Sequence, residues 1–241
     1  MVKAVFFDFG GTLMSTESDR KAHWKLMKAV KRRYNLRAPI KELVEKYEYC
    51  THTYPNPLKY EQSHGLKNIN NAFSQILKEE NKIPDYDWFW KEYLKAHLKN
   101  VRLNKRARVI LRNIKAKKLH LGLISDVDNA YLHEQLKALK ILKFFDSITT
   151  SEEVGVRKPS KKIFKIALKK AKCEPRNALY IGDSIERDIL GARAVGMIPI
   201  LFSSNLSSSS LKSPIIKINS LLELRNIVSV QTCKFHGLKP F

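Results

Sequence analysis

The sequence predicts an α/β fold: a parallel sheet covered by helices on both faces, with an all-helical segment inserted after the first strand. Three observations carry the prediction. From about residue 98 onward, short apolar runs alternate with stretches of amphipathic helical pattern. A first apolar run, Ala4 to Phe7, stands alone near the start of the chain. Between the two, residues 15–97 hold charged and aromatic residues at helical spacing and no convincing strand.

The elements follow in order. Ala4 to Phe7 is apolar at every position, as in a parallel strand buried on both faces. It ends in Asp8 and breaks at Gly10 and Gly11, where the chain can turn sharply. From Ser18 to Tyr34 the spacing predicts a helix with Trp24, Met27, Val30 and Tyr34 on one face. Pro39 opens a second helix, with Leu43, Val44 and Tyr47 on its apolar side. Residues 51–58 hold Pro55 and Pro57 and read as a loop. Asn68 to Leu77 is a third helix, and Asp85, just after Pro84, starts a fourth that runs to about Leu98. Next come a helix from Arg106 to Lys117 and a buried strand from His120 to Ile124 that leads into Ser125 and Asp126. Ala130 to Leu139 is a helix and Phe145 to Thr149 a short strand. Gly155 to Pro159 leads into a helix from Ser160 to Lys172. Asn177 to Ile181 is a strand running into Gly182 and Asp183, and Arg187 to Val195 a helix stopped by Gly196. Ile198 to Phe202 is a strand, Ser203 to Ser210 a flexible serine-rich loop, Ile215 to Ile218 an edge strand and Leu221 to Val228 a last helix. The chain then divides into a discontinuous core (residues 1–14 and 98–230), a helical insert (15–97) and a tail, 231–241, with no clear structure.

Composition narrows the class. The chain has 241 residues, of which 44% are hydrophobic, enough for a proper core. No stretch approaches the roughly 20 apolar residues of a membrane helix. The first apolar run is too short for a signal peptide and Asp8 interrupts it. Cys50, Cys173 and Cys233 are far apart and form no metal-type spacing, so a cytoplasmic protein with free thiols is expected. The net charge is +22, from 45 basic and 23 acidic residues. Such an excess attracts phosphorylated substrates, nucleic acid or anionic surfaces. Lys161, Lys162, Lys165, Lys169 and Lys172, however, fall at helix-face spacing, and no nucleic-acid motif accompanies them. A solvated surface is favoured over nucleic-acid binding, in a monomer or homodimer.

Polar residues gather at the ends of the predicted strands: Asp8, Ser125, Lys158, and Asp183 with Asp188. In a parallel sheet these ends share one edge, where ligands bind. Two carboxylates there can hold Mg²⁺, which prefers oxygen ligands. Lys158 and the Ser125 hydroxyl can donate to phosphate oxygens, and Asp8 can attack phosphorus. Singly each residue has a plainer reading: Ser125 a helix cap, Lys158 a surface lysine, Asp188 a first-turn acid. Their order and context together make the case.

These segments resemble the haloacid dehalogenase superfamily of hydrolases. The motifs are Asp8-Phe9-Gly10-Gly11-Thr12-Leu13, then Ile124-Ser125-Asp126, then Gly155-Val156-Arg157-Lys158-Pro159, and last Gly182-Asp183 through Asp188, followed by Gly191-Ala192 and Gly196-Met197. The resemblance covers residues 1–14 and about 98–225. It implies a Rossmann-like three-layer core and a cap of the C1 type. It also implies Asp8 as nucleophile and Gly11, Thr12, Ser125, Asp126 and Lys158 around the phosphate. Mg²⁺ would rest on Asp8, the Gly10 carbonyl and Asp183, with Asp188 in support.

One position departs from the family. Its phosphatases usually carry a second Asp two residues after the nucleophile, to protonate the leaving group; here that position is Gly10. Glu17, Asp19 or His23 could substitute. The expected function is Mg²⁺-dependent hydrolysis of a small phosphate monoester through an aspartyl-phosphate. Two alternatives stand: a metal-free 2-haloacid dehalogenase, opposed by Asp183 and by Asp126 after Ser125, and a weakly catalytic basic protein that binds nucleic acid or a partner. The aromatic residues Trp24, Tyr47, Tyr54, Trp88 and Trp90 are read as cap core rather than cleft lining.

Overall fold

Strand β1 (Ala4–Phe7) runs through the middle of a sheet and is buried completely on both faces. The computed structural model of the protein describes residues 1–52, 58–203 and 215–229. Beside β1 lie β2 (His120–Ser125) and β4 (Ala178–Gly182), both parallel to it. The strands β3 (Ser147–Thr150), β5 (Ile198–Phe202) and β6 (Ile216–Ile218) complete a six-stranded parallel sheet in the order β3-β2-β1-β4-β5-β6. The change of direction at β1 puts the crevice for a ligand beyond the carboxyl ends of β1, β2 and β4.

The uniform apolar character of β1 has a direct cause. Val5 and Phe7 point into one cluster with Ile110, Leu132 and Leu224, while Ala4 and Phe6 point into another with Ile163, Phe164 and Ala192. The first layer is built by α5 (Ala107–Ala116), α6 (Asn129–Ala138) and α10 (Leu224–Ser229). The second is built by α8 (Lys161–Ala171) and the short α9 (Gly191–Arg193). In α8 the buried stripe Ile163, Phe164, Ala167 and Leu168 stands opposite Lys161, Lys162, Lys165 and Lys169, which are exposed. These lysines are a solvated helix face.

After β1 the chain forms four helices: α1 (Thr16–Tyr34), α2 (Ile40–His52), α3 (His64–Lys78) and α4 (Tyr86–Asn100). They enclose their own apolar cluster, which includes Leu26, Met27, Val30, Tyr47, Phe73 and Phe89. Phe73 and Phe89 stack with ring centroids 3.9 Å apart. Asp85 caps α4 by accepting a bond from the Trp88 N–H at 3.0 Å. No helix among the described residues is long and apolar enough to cross a membrane.

The structure revises several local expectations. Trp24 is 40% exposed, and Leu26 takes its place on the buried face of α1. The face follows 22, 26 and 30 at i+4 spacing, which leaves Trp24 on the flank. Tyr47 belongs to the insert's core, with Trp88 and Trp90 packed against it. Strand β3 begins at Ser147 rather than Phe145, because residues 142–144 form a tight turn and the Asp146 carboxylate accepts from the Leu121 N–H. A short helix, α7 (Ser151–Val154), follows it, capped by Thr150. The helix expected from Arg187 instead opens as a wide π-type turn, Ile185–Leu190, before α9. There the Ile189 N–H reaches the Ser184 carbonyl, and the Asp188 carboxylate takes the Ser184 N–H. Most of the expected 51–58 loop, Tyr54 included, the serine stretch from 204, Cys233 and the tail 231–241 lie outside the described residues.

Gly122 marks where β2 meets β1: a Cβ there would lie 2.3 Å from Phe6 Cδ1. Gly122→Ala is therefore expected to destabilise the protein by about 1–3 kcal/mol through overpacking. The check is a lower urea midpoint with an unchanged denaturant slope.

Candidate active site

The carboxyl end of the sheet collects its polar residues from four segments. Asp8 follows β1, and its backbone N–H is held by the Ile181 carbonyl at 2.8 Å. The loop after it bends back at Gly11, where φ is +77°. Bonds from the Leu13 and Met14 N–H groups to the Phe9 carbonyl, at 3.0 and 2.8 Å, close this turn. Asn104 clamps it from outside, its amide donating to the Gly11 and Thr12 carbonyls at 2.8 Å each. Ser125 and Asp126 end β2, Lys158 arrives on the loop before α8, and Asp183 and Asp188 follow β4.

Lys158 is the hub. Its ammonium lies 2.7 Å from Asp8 Oδ1, 2.7 Å from Asp188 Oδ1 and 3.2 Å from the Tyr180 hydroxyl. Tyr180 in turn donates to Asp188 Oδ1 at 2.8 Å. All four groups are buried. The Asp126 carboxylate lines the cavity and is engaged on one oxygen. Its Oδ1 accepts from Ser151 Oγ at 2.6 Å and from the Lys158 N–H at 3.0 Å, bracing the lysine's loop.

Asp8, Gly10, Gly11, Ser125, Asp126, Lys158 and Asp183 line one cavity of about 210 Å³, together with Met14, Thr16, Asp19 and Arg187. Thr12 and Asp188 are absent from its lining. Thr12 is fully buried and its hydroxyl has no hydrogen-bond partner, while Asp188 lies beneath the floor as the partner of Lys158. Three contributors were not singled out from the sequence. Asn104 carries no signal, being an ordinary polar residue before a helix. Tyr180 reads only as a strand aromatic. Arg187, between Asp183 and Asp188, could have been suspected from its place in the motif. Of the three proposed substitutes for an acid at Gly10, Asp19 reaches the cavity. Glu17 is exposed and paired with Lys21, and His23 sits behind Asp19.

The charges are unequal. Asp8, Asp183 and Asp188 bring three carboxylates within 4.8 Å of one another, and the Lys158 ammonium contacts two of them. Burial pushes the Asp8 carboxyl up, Asp188 and Asp183 push it further, and Lys158 pulls against them. Burial also raises Asp183, with Asp188 adding to it. Burial works against the Asp188 charge as well, but Lys158, the Ser184 N–H and Tyr180 hold it below the usual range. The floor thus has an excess of negative charge on its Asp8–Asp183 side. There, Asp183 Oδ1 is buried without a hydrogen-bond partner. A hard divalent cation with oxygen ligands fits this donor set. Gly11 lets Asp183 approach: a Cβ on Gly11 would lie 2.0 Å from Asp183 Oδ2.

Removing the lysine leaves Asp8 and Asp188 buried without their cation. Lys158→Met is expected to cost about 3 kcal/mol of unfolding free energy, whereas Lys165→Met, on the exposed face of α8, changes it by less than about 0.5 kcal/mol. Urea unfolding of the two variants checks this.

Comparison with known proteins places the fold and the family. A profile of the haloacid dehalogenase-like hydrolases matches residues 5–201. A glyceraldehyde 3-phosphate phosphatase of Methanothermobacter thermautotrophicus is 39% identical over 97 residues, which is 40% of this chain and 43% of that protein. The chain therefore spans less than half of that relative. A HAD-hydrolase of Bacillus subtilis bound to magnesium superposes with a TM-score of 0.72 at 19% identity, covering 95% of this chain and 99% of the other. The L-2-haloacid dehalogenase of Xanthobacter autotrophicus does so with a TM-score of 0.73 at 14% identity, over 96% and 100%. At such identities the two structures speak for the fold alone. With the profile spanning most of the sheet and every strand-end cluster, the chain belongs to the haloacid dehalogenase-like hydrolase family.

Proposed function

We propose that the chain is a Mg²⁺-dependent phosphatase that acts on a small phosphate monoester through an aspartyl-phosphate on Asp8. The observation that carries this reading is the Asp8 carboxylate at the floor of a small polar cavity, held by the Lys158 ammonium with the unpartnered Asp183 oxygen close by. A cavity of about 210 Å³ suits a short phosphate ester, the size class of the substrate named for the archaeal relative.

Asp8, the Gly10 carbonyl and Asp183 would hold Mg²⁺, with Asp188 behind them. The ion would offset phosphate charge. The chain's own residues do the rest. Lys158 keeps one Asp8 oxygen fixed and leaves the other to attack phosphorus. The Ser125 hydroxyl offers a donor to the phosphoryl oxygens, and Arg187 stands at the same cavity; the Lys158 ammonium, whose three N–H groups face Asp8, Asp188 and Tyr180, adds its charge beside them. As the Asp8 oxygen bonds to phosphorus, the ester P–O bond breaks and the leaving oxygen takes its proton from water in the cavity, since Gly10 has no side chain to supply one. Water then attacks the phosphorus of the acyl phosphate, releasing inorganic phosphate and restoring the carboxylate.

The dehalogenase alternative fares less well on charge. Asp8, Asp19, Asp126 and Asp183 line the cavity against Lys158 and Arg187, and without a divalent cation this excess of carboxylates repels an incoming haloacid carboxylate.

Two outcomes test the reading. An aryl phosphate such as p-nitrophenyl phosphate is expected to release phosphate only with Mg²⁺, and Asp8→Asn to abolish release. Halide release from a 2-haloacid in the absence of metal, with no phosphate release, would favour the dehalogenase instead. The second concerns Gly10. A Cβ built there meets nothing within 4 Å, and its φ lies outside the left-handed region. Gly10→Asp is expected to fold normally and to raise turnover of alkyl phosphates by about 10²-fold or more, since a positioned acid contributes about 10²–10⁴-fold. Aryl phosphates, whose leaving groups need no proton, should gain much less. Equal turnover in both proteins would mean that another group already supplies the proton.

A further inference from the structure

Three metal-ligating side chains converge in the helical insert and face one another without a donor between them. Asp19 and His23 stand one turn apart on α1, and His97 comes from α4, against which α1 packs. His23 Nε2 lies 3.8 Å from Asp19 Oδ2, and His97 Nε2 lies 3.8 Å from Asp19 Oδ1. The ligand atoms of all three residues fall within 4.8 Å of one another.

The other ring nitrogens fix the tautomers. His23 Nδ1 is 2.8 Å from Glu48 Oε1, and His97 Nδ1 is 2.8 Å from the Tyr93 carbonyl. A carboxylate and a carbonyl accept, so each Nδ1 carries a proton, and in the neutral ring Nε2 presents a lone pair. His97 is 2% exposed and its Nε2 has no hydrogen-bond partner. Two imidazole lone pairs aimed at a carboxylate are stable together when a cation lies among them. A metal takes an imidazole ligand in its neutral form.

We propose that Asp19, His23 and His97 form a second metal site, in the cap, for a divalent transition ion of the zinc class. Two imidazoles and one carboxylate are a zinc donor set, whereas Mg²⁺ favours oxygen alone, so this site is chemically distinct from the Asp8–Asp183 side of the cavity. Glu48 and the Tyr93 carbonyl are the outer groups that orient the two rings, the usual support of ligating histidines. The two Asp19–His separations of 3.8 Å, in a set whose ligand atoms lie within 4.8 Å of one another, exceed the edge of about 3.3 Å that Zn–ligand bonds of about 2.0 Å imply, so a bound ion would draw the three side chains inward. Entry is provided by Asp19, whose side chain is 39% exposed and which lines the catalytic cavity. A bound ion would tie α1 to α4 in the wall of that cavity and leave a fourth position for water.

The test uses the full chain carrying Asp183→Asn, which removes a ligand of the proposed Mg²⁺ site and leaves the cap untouched. After stripping with a chelator, it is titrated with Zn²⁺ by calorimetry and with Co²⁺ by visible absorption. One equivalent should bind, with intense Co²⁺ ligand-field bands typical of low coordination. Adding His97→Gln should weaken Zn²⁺ at least a hundredfold, and Glu48→Gln tenfold to a hundredfold. Should His97→Gln fail to fold by circular dichroism, Asp19→Asn, at a partly exposed position, gives the same reading. Absence of saturable binding in the Asp183→Asn protein overturns the proposal, as does binding that His97→Gln and Asp19→Asn leave unchanged.

Discussion

A lysine ammonium enclosed between two carboxylates governs the sheet half of this molecule. Lys158 is 150 residues from Asp8 and 30 from Asp188 in sequence, yet it touches both. A buried ammonium is tolerable when paired and hydrogen-bonded, and here Asp8, Asp188 and Tyr180 supply that. The contact therefore joins the ends of β1 and β4 to the loop before α8. Its value lies in geometry more than in stability, since desolvation offsets most of the attraction between buried ions. The Lys158 ammonium and the Arg187 guanidinium against three carboxylates still leave the floor short of positive charge, and the carboxyl pKa values of Asp8 and Asp183 are raised there.

Close approach of backbone makes this arrangement possible. Gly11 brings the first loop against the Asp183 carboxylate, and Gly182 brings β4 under Asp188, where a Cβ would lie 2.4 Å from Asp188 Cβ. Gly10 differs from both. Nothing crowds it, so its lack of a side chain is a chemical feature of the site and not a packing requirement. The insert is organised on another principle, aromatic packing around Phe73 and Phe89, with a few polar side chains threaded through it. Asp19 belongs to both halves, rooted beside two histidines and facing the cavity.

Much of the fold was legible because burial on both faces writes itself into a strand. Ala4 to Phe7, His120 to Ile124 and Ala178 to Ile181 are dominated by apolar residues, and each run ends at a polar group and a turn. Helix stripes were legible where apolar spacing was regular, as in α8. Trp24 misled, since size and hydrophobicity suit a core, while the path of the stripe around α1 decides which residues enter it. The start of β3 was misplaced because Phe144 and Phe145 are as apolar as strand residues but sit in a turn held by Asp146.

The chemical residues divide along the same line. Asp8, Ser125, Lys158 and Asp183 could be chosen from the sequence, because strand-end polar residues in a parallel sheet must share an edge. The roles of Asn104, Tyr180 and Asp126, the inward turn of Thr12 and the meeting of Asp19, His23 and His97 could not. They depend on side-chain direction and on contacts between residues up to 150 apart in sequence. The sequence by itself determined the alternation of strands and helices and the edge where the polar groups gather, since periodicity and burial are local properties. Which carboxylate neutralises the lysine, which faces the cavity and which nitrogen keeps a free lone pair was decided by the tertiary structure alone, because charge pairing and hydrogen-bond geometry exist only once distant segments have met.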